Sequence, residues 1–170
     1  IFVGRFSQEK NPDVLFNAFE KLQRKDVALI MLGMGNMWQP LKDCCPDNII
    51  MPGFTTRVYD YMKASDYYIS ASDVEGLANT ILESMSVGLP MLLSDIPSHR
   101  EVLANVKDEC IGYLIDNHSP EDIRTKIDKI MNINYFEVSS ILQNLYEKKY
   151  TAEIMSRKYQ NTYIELMKKD

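Results

Sequence analysis

Six short apolar runs recur along this chain, at 1–3, 27–32, 48–51, 66–70, 91–94 and 110–115, and each is followed by a stretch with helical spacing. That alternation leaves few folds open. Parallel strands need a crossover between them, the crossover is right-handed, and its helices cover both faces of the sheet. The run at 27–32 is hydrophobic throughout, as strands covered on both faces often are. The expected fold is therefore α/β, a Rossmann-like three-layer α/β/α domain with a parallel sheet.

Turn and cap residues mark the helices. Asn11-Pro12-Asp13 reads as N-cap, first helical position and acidic first turn. The helix it opens is expected to reach about Arg24, with Leu15, Ala18, Phe19 and Leu22 on one face. Asn36 is expected to cap a helix through Leu41 that Cys44, Cys45 and Pro46 end. Pro52-Gly53 is expected to close the third strand, and Phe54-Thr55-Thr56 to open a helix over Val58, Tyr61 and Met62. Gly88 and Pro90 stop the helix at 80–87, and Pro97 or Ser98 begins one through Leu103. Ser119-Pro120-Glu121-Asp122 starts another, with Ile123, Ile127, Ile130 and Met131 at helical spacing. Two more helical patterns cover 136–150 and 151–167.

The chemistry gathers at the ends of two strands. The loop after the fourth strand carries Glu75, and the helix it opens carries Glu83. Between them the backbone N–H groups of Leu77, Ala78, Asn79 and Thr80 form a helix N-terminus, which attracts an anion such as a diphosphate. Glu83 is placed to accept from a ribose diol and Glu75 from sugar hydroxyls. A solvated loop residue and a helix-favouring glutamate are the plainer alternatives. After the first strand, Arg5 and Lys10 flank the first helix start, where two cations suit a phosphate pair or are simply exposed surface charges. Gly33-Met34-Gly35 lacks the third glycine of a dinucleotide fingerprint, since Trp38 stands there, so it reads as a tight turn. Phe54 either stacks on a base or packs in the core. His99 reads as a surface or capping residue rather than a general base.

Composition excludes several classes. The formal net charge of −5 argues against a general nucleic-acid binder. Three cysteines, two of them adjacent, make neither a disulfide framework nor a zinc site, and a reduced cytoplasmic setting fits them. No run approaches the roughly 20 apolar residues of a membrane span. The start at Ile1-Phe2-Val3, in mid-strand, leads us to expect a piece of a larger protein.

An ordered set of motifs then resembles one family. Val3-Gly4-Arg5 with Lys10-Asn11, Leu32-Gly33 with Gly35, Gly53-Phe54, Glu75-Gly76 with Glu83, Gly88-Leu89-Pro90 through Ser94-Asp95, Arg100-Glu101 and Gly112-Tyr113 stand in the right order over nearly the whole chain. Together they resemble the carboxyl-terminal, donor-binding domain of a retaining GT-B glycosyltransferase, of the glycosyl transferases group 1 and glycogen synthase-like type that builds polysaccharide or lipopolysaccharide. The resemblance implies a donor domain over 1–170, with about 151–170 a helix crossing back to an amino-terminal acceptor domain absent from this chain. It implies Arg5 and Lys10 on the diphosphate, Glu83 on the ribose and Glu75 near the transferred sugar. Gly4, Gly76, Leu77, Ala78, Asn79 and Thr80 would hold sugar and phosphate, and Gly53, Phe54 and Thr55 would cradle the base. It further implies retention of anomeric configuration, no metal and no cofactor beyond the donor substrate, a UDP-sugar with GDP- and ADP-sugars left open. The implied acceptor is an oligosaccharide or lipid-linked glycan, and the implied setting is cytoplasmic, the inner face of the membrane included. Lys148, Lys149, Arg157, Lys158, Lys168 and Lys169 offer a weak basic patch for peripheral membrane contact, or a solvated helix face.

The sequence departs from the family where Gly76-Leu77-Ala78 replaces Gly-Phe-Gly and Ser84 replaces a frequent alanine. His99 and His118 do not match the family's histidine near the sugar. A nucleotide-sugar epimerase on the same fold and a non-catalytic nucleotide-binding module are the two alternatives carried forward.

Overall fold

All six apolar runs form strands, and every strand pairing is parallel. The computed structural model describes residues 1–22, 24–104 and 110–168. In chain order the elements are β1 (Phe2–Val3), a 3-10 turn (Gln8–Lys10), α1 (Pro12–Glu20), β2 (Leu29–Leu32), α2 (Trp38–Asp43), β3 (Ile49–Gly53) and α3 (Val58–Lys63). There follow β4 (Tyr68–Ser70), α4 (Asn79–Val87), β5 (Met91–Ser94), α5 (Pro97–Ala104), β6 (Gly112–Ile115), α6 (Pro120–Ile130), α7 (Tyr135–Lys149) and α8 (Ala152–Met167).

The strands form two three-stranded sheets, ordered β1-β2-β3 and β4-β5-β6. They meet where Ile1 N donates to Tyr67 O at 2.7 Å and Ile69 N donates to Ile1 O at 2.9 Å. That is the staggered bonding of a parallel pair, so the continuous order is 3-2-1-4-5-6, the doubly wound arrangement. Residues alternate between two cores, as a period of two requires. Ile69 and Leu92 face Phe16, Phe19, Ile123 and Ile127 of α1 and α6. Tyr68, Met91 and Leu93 face Ile81, Met85, Val138 and Leu142 of α4 and α7. Three layers result.

Several boundaries differ from expectation. α1 ends at Glu20 rather than Arg24, with Leu22 in the turn that follows. β3 runs through Pro52 and Gly53 instead of stopping before them. It is an edge strand, where a missing N–H costs no ladder bond. Neither Asn36 nor any other side chain caps α2, whose N-cap is Met37. Ser119 and Thr151 do cap α6 and α8, each accepting from the backbone N–H three residues on. α8 buries none of its residues and leaves Met155, Tyr159, Tyr163, Ile164 and Leu166 exposed. Of the basic patch, Lys169 lies outside the described residues. No helix among those described is long and apolar enough to cross a membrane.

The glycine turn serves packing. Gly33 sits at φ +131°, and a Cβ there would lie 1.9 Å from Gly4 O. A Cβ on Gly35 would lie 2.3 Å from Phe6 O. These glycines let the β2–α2 loop lie against the β1–α1 loop. Gly33→Ala is therefore expected to destabilise by roughly 1–3 kcal/mol from the backbone conformation alone, and more from the clash. A urea titration with unchanged slope and a lowered midpoint checks this.

Candidate functional site

β1 and β4 are neighbours in space although Lys10 and Glu75, which follow them, are 65 residues apart. α1 leaves toward one face of the sheet and α4 toward the other. A crevice opens between departing helices at such a switch point, outside the carboxyl ends of the strands. The loops carrying the expected cations and the expected carboxylate form its two walls.

Across that crevice the Lys10 ammonium donates to Glu75 Oε1, forming an ion pair. The two side chains are 23% and 15% exposed, so the pair is partly screened from water. Arg5 lies nearby in sequence and is exposed. Lys10 owes its position to Asn11, which is buried at φ 47°, ψ 47°, in the left-handed region. Asn11 is the N-cap residue of α1, as expected, but its side chain makes no cap bond. Its amide instead reaches across the crevice, donating to Ala71 O at 2.9 Å and Asp73 Oδ1 at 2.7 Å. Asparagine is among the few residues besides glycine that adopt this backbone region, and here the two bonds across the crevice hold it there.

Asp73 is a structural tie within the site that reading the sequence missed. Its Oδ1 also accepts from Asn117 Nδ2 and lies 3.2 Å from His118 Nε2, while its N–H donates to Glu9 O at 2.9 Å. One carboxylate thus ties together the loops after β1, β4 and β6. The only available signal was Asp73 itself, two residues before Glu75 in the loop already singled out.

α4 begins at Asn79 behind an extended Ala78, with no side-chain cap and no acidic residue in its first turn. The amides of Asn79 and Thr80 therefore lack helical acceptors and carry the positive end of the helix dipole. Thr80 Oγ1 meets the buried Tyr68 hydroxyl at 2.9 Å, which anchors this terminus to β4. Gly76 and Leu77 are exposed in the loop before it. Glu83 stands on the second turn of α4, where partial burial raises its carboxyl pKa.

A cleft of about 300 Å³ lies at the carboxyl ends of β1, β2 and β3, and Gly4, Arg5, Phe54 and Thr55 help to line it. Gly53, just before Phe54, is buried against Met34 and Trp38. Phe54 is 75% exposed, which corrects the core-packing alternative and leaves its ring face open to a planar partner. Among the described residues no group of three or more His, Cys, Asp and Glu side chains is placed to hold a metal.

His99, expected as a surface or capping residue, is fully buried. Its Nδ1 lies 3.1 Å from Ser94 O and 3.0 Å from Ser94 Oγ. A carbonyl only accepts, so Nδ1 carries the proton. Nε2 is buried with no hydrogen-bond partner among the described residues, and burial lowers the imidazole pKa. Ser94 Oγ in turn donates to Ser72 O at 2.6 Å, so this histidine underpins the loop that carries Glu75.

Comparison with known proteins adds a second line. Residues 1–150 match the model of the family described as glycosyl transferases group 1. An O-antigen biosynthesis glycosyltransferase of Escherichia coli, WbnH, is 32% identical over 136 residues, 78% of this chain and 37% of the relative. Staphylococcus aureus TarM, crystallised as a mutant with fondaparinux, α-GlcNAc-glycerol and UDP, superposes with a TM-score of 0.79 at 25% identity over 94% of this chain and 34% of that one. The catalytic domain of a Helicobacter pylori cholesterol-α-glucosyltransferase shares the fold, with a TM-score of 0.71 at 24% identity over 87% of this chain and 97% of that domain. The chain spans less than half the length of the first curated relatives it matches.

Two outcomes follow from the geometry. Asn11→Ala loses two hydrogen bonds and strains the backbone, and is expected to cost about 2–4 kcal/mol, whereas Asn11→Gly keeps the conformation and costs about 1–2 kcal/mol less. Equilibrium denaturation of both variants checks the difference. Since His99 is harder to protonate folded than unfolded, its effect is absent above about pH 6.5 and lowers stability as pH falls below that value. His99→Asn is expected to flatten the stability profile below pH 6.5, read from melting temperatures across that range.

Proposed function

This chain belongs to the group 1 glycosyl transferases, and we propose that it is the half that binds the donor, a nucleoside-diphosphate sugar. The single observation that carries this is the meeting of Lys10 and Glu75 at the switch point, beside the uncapped N-terminus of α4. Cation, free amides and carboxylate stand in the sequence that a diphosphate followed by a sugar needs. UDP is the proposed nucleotide, in line with the UDP named for TarM.

In this scheme Arg5, Lys10 and the α4 amides take the charge that develops on the departing diphosphate, without need of a metal. Glu83 accepts from the ribose, Phe54 stacks on the base above Gly53 and Thr55, and Glu75 orients the sugar. The sugar C1–O bond to phosphate breaks as the acceptor oxygen attacks on the same face, and a phosphate oxygen takes the acceptor's proton. Configuration is thereby retained. We take the transferred unit as a hexosyl or N-acetylhexosaminyl group and the acceptor as a surface-glycan or lipid-linked oligosaccharide, held by an amino-terminal domain. Support for that acceptor class comes from WbnH, a relative in O-antigen biosynthesis. In the same proposal α8 crosses to the amino-terminal domain, which would cover its exposed apolar residues.

Calorimetric titration with UDP, GDP and ADP tests the proposal. One nucleotide is expected to bind, equally with and without magnesium. Arg5→Ala and Glu83→Ala are each expected to weaken it roughly 10- to 100-fold, the worth of one charge-assisted hydrogen bond. No binding of any nucleotide by folded protein contradicts it.

A further inference from the structure

Lys10 is not an open cation in the ligand-free protein. Its ammonium is already paired with Glu75, and both groups are more than three-quarters buried. The pairing is built into the backbone on both sides. Asn11, the next residue, is pinned to Ala71 O and Asp73 Oδ1, and Asp73 N–H is bonded to Glu9 O. Lys10 and Glu75 therefore face one another because three neighbouring bonds hold their loops together. Arg5 is exposed and stands outside the pair. His99 is buried and lies within electrostatic reach of both, but it is held neutral and gives Glu75 no second cation.

We propose that the Lys10–Glu75 pair is a partner-exchange latch that favours an intact nucleotide sugar over the nucleoside diphosphate left after transfer. The inference rests on the donor-domain reading above. A bound diphosphate draws Lys10 away and leaves Glu75 as a largely buried carboxylate without its cation. An attached sugar supplies hydroxyl donors to that carboxylate, so both partners are exchanged at once. A bare nucleoside diphosphate brings no such donors and strands Glu75, and that cost is subtracted from its affinity. Once the sugar has left on the acceptor, Glu75 competes for Lys10 again, and re-forming the pair speeds product release. Glu75 thus sets donor-over-product specificity through Lys10, in addition to orienting the sugar.

The test is a thermodynamic cycle with UDP as the probe, read by calorimetry on the wild type, Glu75→Gln, Lys10→Met and the double variant. A thermal melt of each checks folding, and Glu75→Ala replaces Glu75→Gln if the latter does not fold. Glu75→Gln is expected to bind UDP roughly five-fold more tightly than wild type, the worth of one such ion pair. Lys10→Met is expected to bind more weakly, and adding Glu75→Gln to it is expected to give no gain. Unchanged or weaker UDP binding by Glu75→Gln overturns the latch while leaving the donor-domain reading standing. A gain that persists without Lys10 also overturns it, because the effect is then only the removal of a negative charge. Failure of UDP, GDP and ADP to bind any of the folded proteins overturns both.

Discussion

The junction of β1 and β4 is the constraint on which the rest depends. Two half-sheets meet there through the bonds of Ile1 with Tyr67 and Ile69. Because the strand order reverses at this line, the chain leaves β1 toward one layer of helices and β4 toward the other. The crevice between them is a consequence of topology. Its contents follow from what the two loops carry, a lysine behind an asparagine on one wall and a glutamate behind an aspartate on the other.

The walls are held by polar contacts that cross the crevice. Asn11 spends its amide on the opposite loop, and Asp73 collects donors from two others. A carboxylate shared by two amides keeps its charge compensated without becoming available to a ligand. The side chains of Glu75 and Lys10 pair with each other across that framework. Framework and working residues are thus adjacent in sequence yet separate in role. Beneath them, buried Ser72, Ser94 and His99 support the glutamate loop from β5 and α5.

Much of this was legible in the sequence because it rests on local periodicity. The six strands, the helix start at Ser119 and the stop at Gly88 are written in nearest neighbours. The misreadings share one cause. Asn11 does stand at the N-cap of α1, but its side chain is claimed by a loop 60 residues away instead of by the helix. His99 looked like a surface residue, but β5 and the loop after β4 enclose it. Phe54 offered core packing more readily than stacking, yet it is exposed in the loop after the edge strand β3. Gly33 and Gly35 read correctly as a tight turn, but the reason they must be glycine lies in Gly4 and Phe6 on the adjacent strand's loop. Long-range partners decide each of these, and no local pattern encodes them.

The measurement that bears most directly on this account is a crystal structure of the chain with UDP. The account predicts the β-phosphate at the α4 N-terminus, with Lys10 turned from Glu75 toward it, the ribose at Glu83 and the base against Phe54. Nucleotide bound elsewhere, for instance in the cleft of about 320 Å³ at the opposite ends of the strands, where Val27, Ile30 and Tyr67 line the wall, would contradict it. So would nucleotide in the crevice with Lys10 still on Glu75.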